Sequence, residues 1–197
     1  MGARLLINPC RTPATHPVLW HDARRIYWSL ANLSESSGTP ARDKFIYIHR
    51  TAQNSKNGGR FILNDEPFIE VLRQYANKSS LNFVLYDHSQ LQGTVVNQIE
   101  LFYQARVIIG VHGGAQSNMN FAQPGTTLIE IMPYRAQLTT VPIVCSSPAI
   151  EPCVGYIYYT QSQLLNLSYW ILPTQVDADK NLHVNLTRIQ KILDSLT

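Results

Sequence analysis

The stretch from Val107 to Pro133, VIIGVHGGAQSNMNFAQPGTTLIEIMP, decides the fold. Residues 106–111 read as a buried strand. His112-Gly113-Gly114 makes a turn, a short helix follows, and Pro124-Gly125 turns the chain into a second buried strand over 126–132. A tight turn that opens a helix at the carboxyl end of a parallel strand is where open α/β sheets bind phosphate-bearing ligands.

Working outward, strands and helices alternate. Leu19, Ala23, Ile26, Tyr27, Leu30 and Leu33 recur at helical spacing and predict an amphipathic helix over 18–33 with these side chains on its apolar face. The turn-rich segment 34–43 is a polar linker. Residues 45–49 (FIYIH) form a short buried strand that runs into a polar loop. Asn64 or Asp65 can cap the next helix, Pro67 suits its first turn, and Phe68, Ile69, Leu72, Tyr75 and Ala76 form its apolar face. Residues 81–86 form a strand, and Val95, Ile99, Phe102 and Tyr103 define another helix. Beyond Pro133 the pattern loosens: residues 155–159 (GYIYY) suggest a further strand, VDADKN reads as a surface turn, and Leu186, Ile189, Ile192, Leu193 and Leu196 share one face of a final helix. Strands alternating with helices predict a parallel sheet covered on both faces, and nearly continuous apolar strands fit burial on both sides.

The totals exclude several classes. A chain of 197 residues with 45% hydrophobic and 15% charged residues has the size and composition of one globular domain. A net charge of +3, with no Lys/Arg stripe and no nucleic-acid motif, gives no reason to expect a nucleic-acid partner. No apolar run has the length of a membrane span, and residues 1–17 lack the apolar block of a secretory signal. Cys10, Cys145 and Cys153 make no zinc spacing; Cys145 and Cys153 bracket a turn-rich segment and are either a small disulfide loop or two free thiols. Asn-x-Ser/Thr sequons stand at Asn32, Asn77, Asn166 and Asn185. No GxGxxG, P-loop, GxSxG or metal-binding cluster is present, so no metal or cofactor is expected.

The chemistry centres on the glycine turn. Gly113 and Gly114 lack a Cβ, so the backbone is expected to turn sharply there and to let a ligand approach its N–H groups. His112, at the strand's tip, can donate to a phosphate oxygen or to a sugar hydroxyl; alternatively the turn only connects strand to helix and His112 is structural. Asn118 lies in the first turns of the helix and faces either the ligand or its own backbone. Glu130 interrupts an apolar strand. At the carboxyl end it would accept from ribose hydroxyls; otherwise it pairs with an Arg or lies exposed at the rim. Arg50 and Arg60 bracket the loop after the first strand, on the side of the sheet where the turn opens, and guanidinium groups fork onto oxyanions. Lys56, in the same loop, is read as solvated.

These residues carry a resemblance. The run NQIELFYQARVIIGVHGGAQSNMNFAQPGTTLIEIMP resembles the C-terminal signature of glycosyltransferase family 61, and YIHRTAQNSKNGGRFILND is similar to that family's Arg…Arg…Asn element, with Arg50, Arg60 and Asn64 at its positions. The small residues after His112 are permuted relative to the family's His-Gly-Ala-Gly. The resemblance implies a Rossmann-like α/β domain, the C-terminal lobe of a GT-B fold. It implies residues 45–197 as the nucleotide-sugar-binding lobe, and 1–44 as an N-terminal helix and linker closing a preceding lobe that this chain lacks. It implies an inverting, metal-independent transfer of a sugar such as xylose or N-acetylglucosamine from a UDP-sugar to a glycan or glycoprotein, in the Golgi or endoplasmic reticulum lumen, with any membrane anchor outside this chain. Under it, Arg50 and Arg60 contact the diphosphate, and Asn64, completing that element, is a further UDP-sugar contact. His112, Gly113 and Gly114 lie under the nucleotide-sugar, and Asn118 and Glu130 reach the uracil or ribose. The alternative is a non-catalytic nucleotide-sugar-binding fragment or degenerate relative.

Overall fold

The structure is a computed structural model that describes residues 17–34, 42–51, 59–87, 94–134 and 157–196. Most of the expected linker, Lys56 and all three cysteines lie outside the described residues. The elements in chain order are α1 (Pro17–Leu30), β1 (Lys44–Ile48), α2 (Asp65–Lys78), β2 (Asn82–Tyr86), α3 (Val95–Tyr103), β3 (Ala105–Val111), a 3-10 helix (Gly114–Phe121), β4 (Thr127–Tyr134), α4 (Ile157–Leu164), β5 (Ser168–Gln175) and α5 (Leu186–Asp194). The strands form one five-stranded sheet in the order β2-β1-β3-β4-β5, and every pairing is parallel. The protein is therefore a Rossmann-like α/β domain.

Strand alternation explains the two covered faces. Phe45, Tyr47, Val107, Ile109, Val111, Ile129 and Ile131 point to one side, where Phe68, Leu72 and Tyr75 of α2 and Ile189 and Leu193 of α5 pack on them. Ile46, Ile48, Ile108 and Leu128 point to the other side, under Phe102 of α3, Met119 of the 3-10 helix and Tyr158 of α4. Such strands must be apolar along their whole length, and for this reason they stand out in the sequence.

Three expectations need correction. The first helix forms, but on a different face: Leu19, Ile26, Tyr27 and Leu30 are exposed, while Arg24, Trp28 and Ala31 are buried. The aromatic anchor and a guanidinium that reaches a backbone carbonyl win over the aliphatic stripe. Trp28 stacks edge-on against Tyr103 and donates its Nε1–H to the Phe121 carbonyl at 2.8 Å, and the Arg24 guanidinium donates to the Leu165 carbonyl at 3.0 Å. The strand expected at 155–159 is a helix where the chain is described. Its Ile-Tyr-Tyr-Thr start has strand propensity, but Tyr158, Gln161, Ser162 and Leu165 are buried at helical spacing and tertiary packing decides. The strand β5 has no clear strand pattern in the sequence. It lies at the sheet's edge, exposes Trp170 and Ile171, and tolerates Pro173 there.

The α1 face gives a direct check. Trp28→Ala is expected to lower stability by about 3–5 kcal/mol, and Ile26→Gln to change it by less than about 0.5 kcal/mol. Urea denaturation reads both, and the opposite ranking would contradict the packing described.

Candidate active site

The sheet has its switch point between β1 and β3. From β1 the chain passes through α2 to β2 on one side; from β3 it proceeds to β4 and β5 on the other. Ligands of open α/β sheets sit in the crevice at the carboxyl ends of such neighbouring strands. Here those ends are His49-Arg50 and His112-Gly113, which the sequence separates by some sixty residues and the sheet places side by side.

Two guanidinium groups meet at this rim. Arg50 donates its Nε–H to the Gly59 carbonyl at 3.3 Å, and a Cβ built on Gly113 would lie 2.8 Å from an Arg50 terminal nitrogen. Gly113 therefore lets the arginine lie against the turn. Arg60 donates to the His112 carbonyl at 3.0 Å. Burial, then the neighbouring Arg60 charge, pushes the Arg50 guanidinium down to about 10, and burial also lowers Arg60. Two cations withdrawn from water beside each other favour an anion between them.

Arg60 is held from a distance. Gly59 and Arg60 both take left-handed backbone angles, with φ of 66° and 65°. The backbone N–H of Arg60 donates to the Lys180 carbonyl at 2.7 Å, Phe61 N–H to Asn181 Oδ1 at 3.2 Å, and Leu63 N–H to the Leu182 carbonyl at 2.7 Å. The turn expected at VDADKN is present. Its further use, clamping the loop that carries Arg60, has no local signal in the sequence.

The glycine turn differs in detail from the expectation. Gly113 has φ 173° and ψ 167°, extended backbone open to any residue, so no sharp glycine-only turn is made. Its value is the space it leaves for Arg50. Around Gly114 a Cβ would meet nothing within 4 Å. The N–H groups of Gly114 and Ala115, at the start of the 3-10 helix, make no hydrogen bond to the described residues and can donate to an oxyanion.

Behind the turn lies a polar chain. His112 is buried at the tip of β3, and its Nδ1 bonds a carboxylate oxygen of Glu130. Glu130 has no surface exposure, and its second oxygen accepts from the Tyr169 hydroxyl at 2.5 Å. Glu130 is neither paired with an Arg nor exposed at the rim, and both its oxygens bond internal partners. Burial and the Glu130 carboxylate raise the Tyr169 phenol well above its usual range. Tyr158, which no motif or spacing singles out, donates to the Gly113 carbonyl at 2.6 Å and sets its ring 5.2 Å from the His112 ring. Burial pushes its phenol up to about 12.

The remaining residues divide. Asn118 is near the rim, where its amide donates to the Tyr86 hydroxyl at 3.1 Å and ties the 3-10 helix to the end of β2. Asn64 stands before α2, but its side chain does not cap that helix. Its amide donates to the Val184 carbonyl and its Oδ1 accepts the Val184 N–H, each at 2.9 Å, so it joins α2 to the segment before α5. Next to the arginines, His49 bonds Asp65 at 2.7 Å, and that hydrogen bond raises the imidazole above its usual range against an opposing desolvation. Among the described residues no three His, Cys, Asp or Glu side chains converge as metal ligands, and no helix is long and apolar enough to cross a membrane.

A protein-family model described as Glycosyltransferase 61 matches residues 3–129. The match takes in Arg50, Arg60, Asn64, His112, Gly113, Gly114 and Asn118, and ends one residue before Glu130. No curated protein matches the chain.

Two substitutions test this geometry. Asn64→Ala leaves the Val184 N–H and carbonyl without their partners and is expected to cost about 1–3 kcal/mol in chemical denaturation; an unchanged midpoint would show that the clamp carries no weight. Gly113→Ala displaces the Arg50 guanidinium without straining the backbone. It should weaken binding of inorganic diphosphate by about tenfold while leaving the melting temperature nearly unchanged, and equal diphosphate affinity would contradict the Arg50–Gly113 contact.

Proposed function

The chain belongs to glycosyltransferase family 61, and from that membership we propose that the rim between β1 and β3 binds the diphosphate of a UDP-sugar. The observation that carries this reading is the convergence of Arg50, Arg60 and the His112–Gly114 turn at the carboxyl ends of β1 and β3. Arg50 and Arg60 fork onto the phosphate oxygens, and the N–H groups of Gly114 and Ala115 supply further donors. In this reading His112 lines the same pocket. Asn118, tied to Tyr86 at the end of β2, contacts the nucleoside in this reading. The interior roles of Asn64 and Glu130 make them supports of the site rather than ligand contacts.

The proposed reaction is inverting transfer of a sugar such as xylose or N-acetylglucosamine to a glycan or glycoprotein hydroxyl. The acceptor oxygen attacks the anomeric carbon in line as its bond to the diphosphate breaks. The bonding pair leaves on UDP, and the acceptor's proton passes to a base. The guanidinium pair and the helix N–H donors stabilise the charge that develops on the leaving diphosphate, a task a bound metal ion performs in other enzymes. The same reading puts the protein in the lumen of the Golgi or endoplasmic reticulum. The exposure of Asn32, Asn77, Asn166 and Asn185, each the first residue of a sequon, supports that location.

Calorimetric titration of the chain with UDP tests the site. Arg50→Ala and Arg60→Ala should each weaken UDP by about tenfold or more, the loss expected for a hydrogen bond to a charged group. Unchanged affinity in both would remove the proposed pocket. UDP binding without transfer from any UDP-sugar would leave a nucleotide-sugar-binding module.

A further inference from the structure

Glu130 is a carboxylate with no surface exposure, in the middle of an otherwise apolar strand. Burying a charge is costly unless it is hydrogen-bonded, so its two partners define its purpose. One oxygen meets Nδ1 of His112 and the other accepts from Tyr169. The His112 backbone is fixed as well. Its N–H donates to the Ile131 carbonyl at 3.0 Å, and its carbonyl accepts from Arg60. Tyr158 lies against the ring. Nε2 makes no hydrogen bond to the described residues, and the side chain keeps 11% of its surface open.

A carboxylate facing Nδ1 selects the ring form that carries its proton on Nδ1. In a neutral imidazole this leaves the lone pair on Nε2. A lone pair attracts the hydrogen of a hydroxyl and repels a phosphate oxygen. We propose that Glu130, anchored by Tyr169, is a positioning residue that holds His112 with Nε2 as the acceptor for a sugar hydroxyl of the bound nucleotide-sugar. This inference rests on the nucleotide-sugar reading above and divides its labour. The arginines and the helix N–H groups take the diphosphate, and His112 takes a neutral hydroxyl. That hydroxyl belongs to the ribose or to the transferred sugar, which offer the ring the same O–H.

Long-range proton–nitrogen correlation spectra of the labelled chain, at alkaline pH where imidazoles are neutral, read the ring form without any ligand. His112 is expected to be protonated at Nδ1 and bare at Nε2, and Glu130→Met is expected to abolish that preference. A wild-type ring protonated at Nε2 would overturn the proposal, whether or not the variant folds. So would an unchanged ring form in a folded Glu130→Met protein. The second arm titrates wild type and His112→Ala with inorganic diphosphate, UDP and UDP-N-acetylglucosamine. Diphosphate affinity should be unchanged, while a ligand bearing the recognised hydroxyl should weaken by about tenfold. Equal losses for UDP and UDP-N-acetylglucosamine assign the ribose, and a loss confined to UDP-N-acetylglucosamine assigns the transferred sugar. A comparable loss for inorganic diphosphate, or no loss for either nucleotide, would overturn the acceptor role. If wild type binds no nucleotide, the UDP-sugar reading fails, and the ring form still decides whether Glu130 positions His112.

Discussion

Two guanidinium groups held beside each other against their mutual repulsion are the constraint on which the rim depends. Arg50 is partly withdrawn from water, lies against Gly113 and feels Arg60 as a second cation. Left to themselves, such side chains would swing apart into solvent. The fold prevents this by giving each a carbonyl to hold, Gly59 for Arg50 and His112 for Arg60. An oxyanion between them, as in the proposed diphosphate complex, would add charge-assisted hydrogen bonds and offset the repulsion.

That organisation is assembled from distant parts of the chain. Parallel pairing of β1 with β3 brings the Arg50 segment to the glycine turn. The hydrogen bonds from Arg60, Phe61 and Leu63 to residues 180–182 fix the left-handed backbone from which Arg60 projects. Asn64 continues the same seam to Val184. On the other face, α4 contributes Tyr158 to the turn and β5 contributes Tyr169 to Glu130. Thus the segment after residue 129, beyond the family match, supplies partners that hold Arg60, Asn64, His112 and Gly113 inside it.

What could be read from the sequence follows from how local each signal is. Strands β1, β3 and β4 announce themselves because parallel strands buried on both faces must be apolar throughout, and the glycine turn announces the helix after β3. Arg50 and Arg60 were legible as a pair because both flank one loop at a predictable end of the sheet. Glu130 was legible as an anomaly but not as a partner of His112, since that contact needs the register of β3 on β4 and an aromatic from a strand with no clear pattern. The face of α1 is not legible locally because its burial depends on Trp28 and Arg24 finding carbonyls at Phe121 and Leu165, far along the chain. In α4, aromatic and β-branched residues favour a strand locally, and only the packing around Tyr158 and Leu165 selects the helix.

A crystal structure of the chain with UDP bound tests the anion pocket most directly. The diphosphate is expected between the Arg50 and Arg60 guanidinium groups, within hydrogen-bond distance of the Gly114 and Ala115 N–H groups. A nucleotide seated at the amino ends of the strands, or one whose phosphates touch neither arginine, would contradict the assignment.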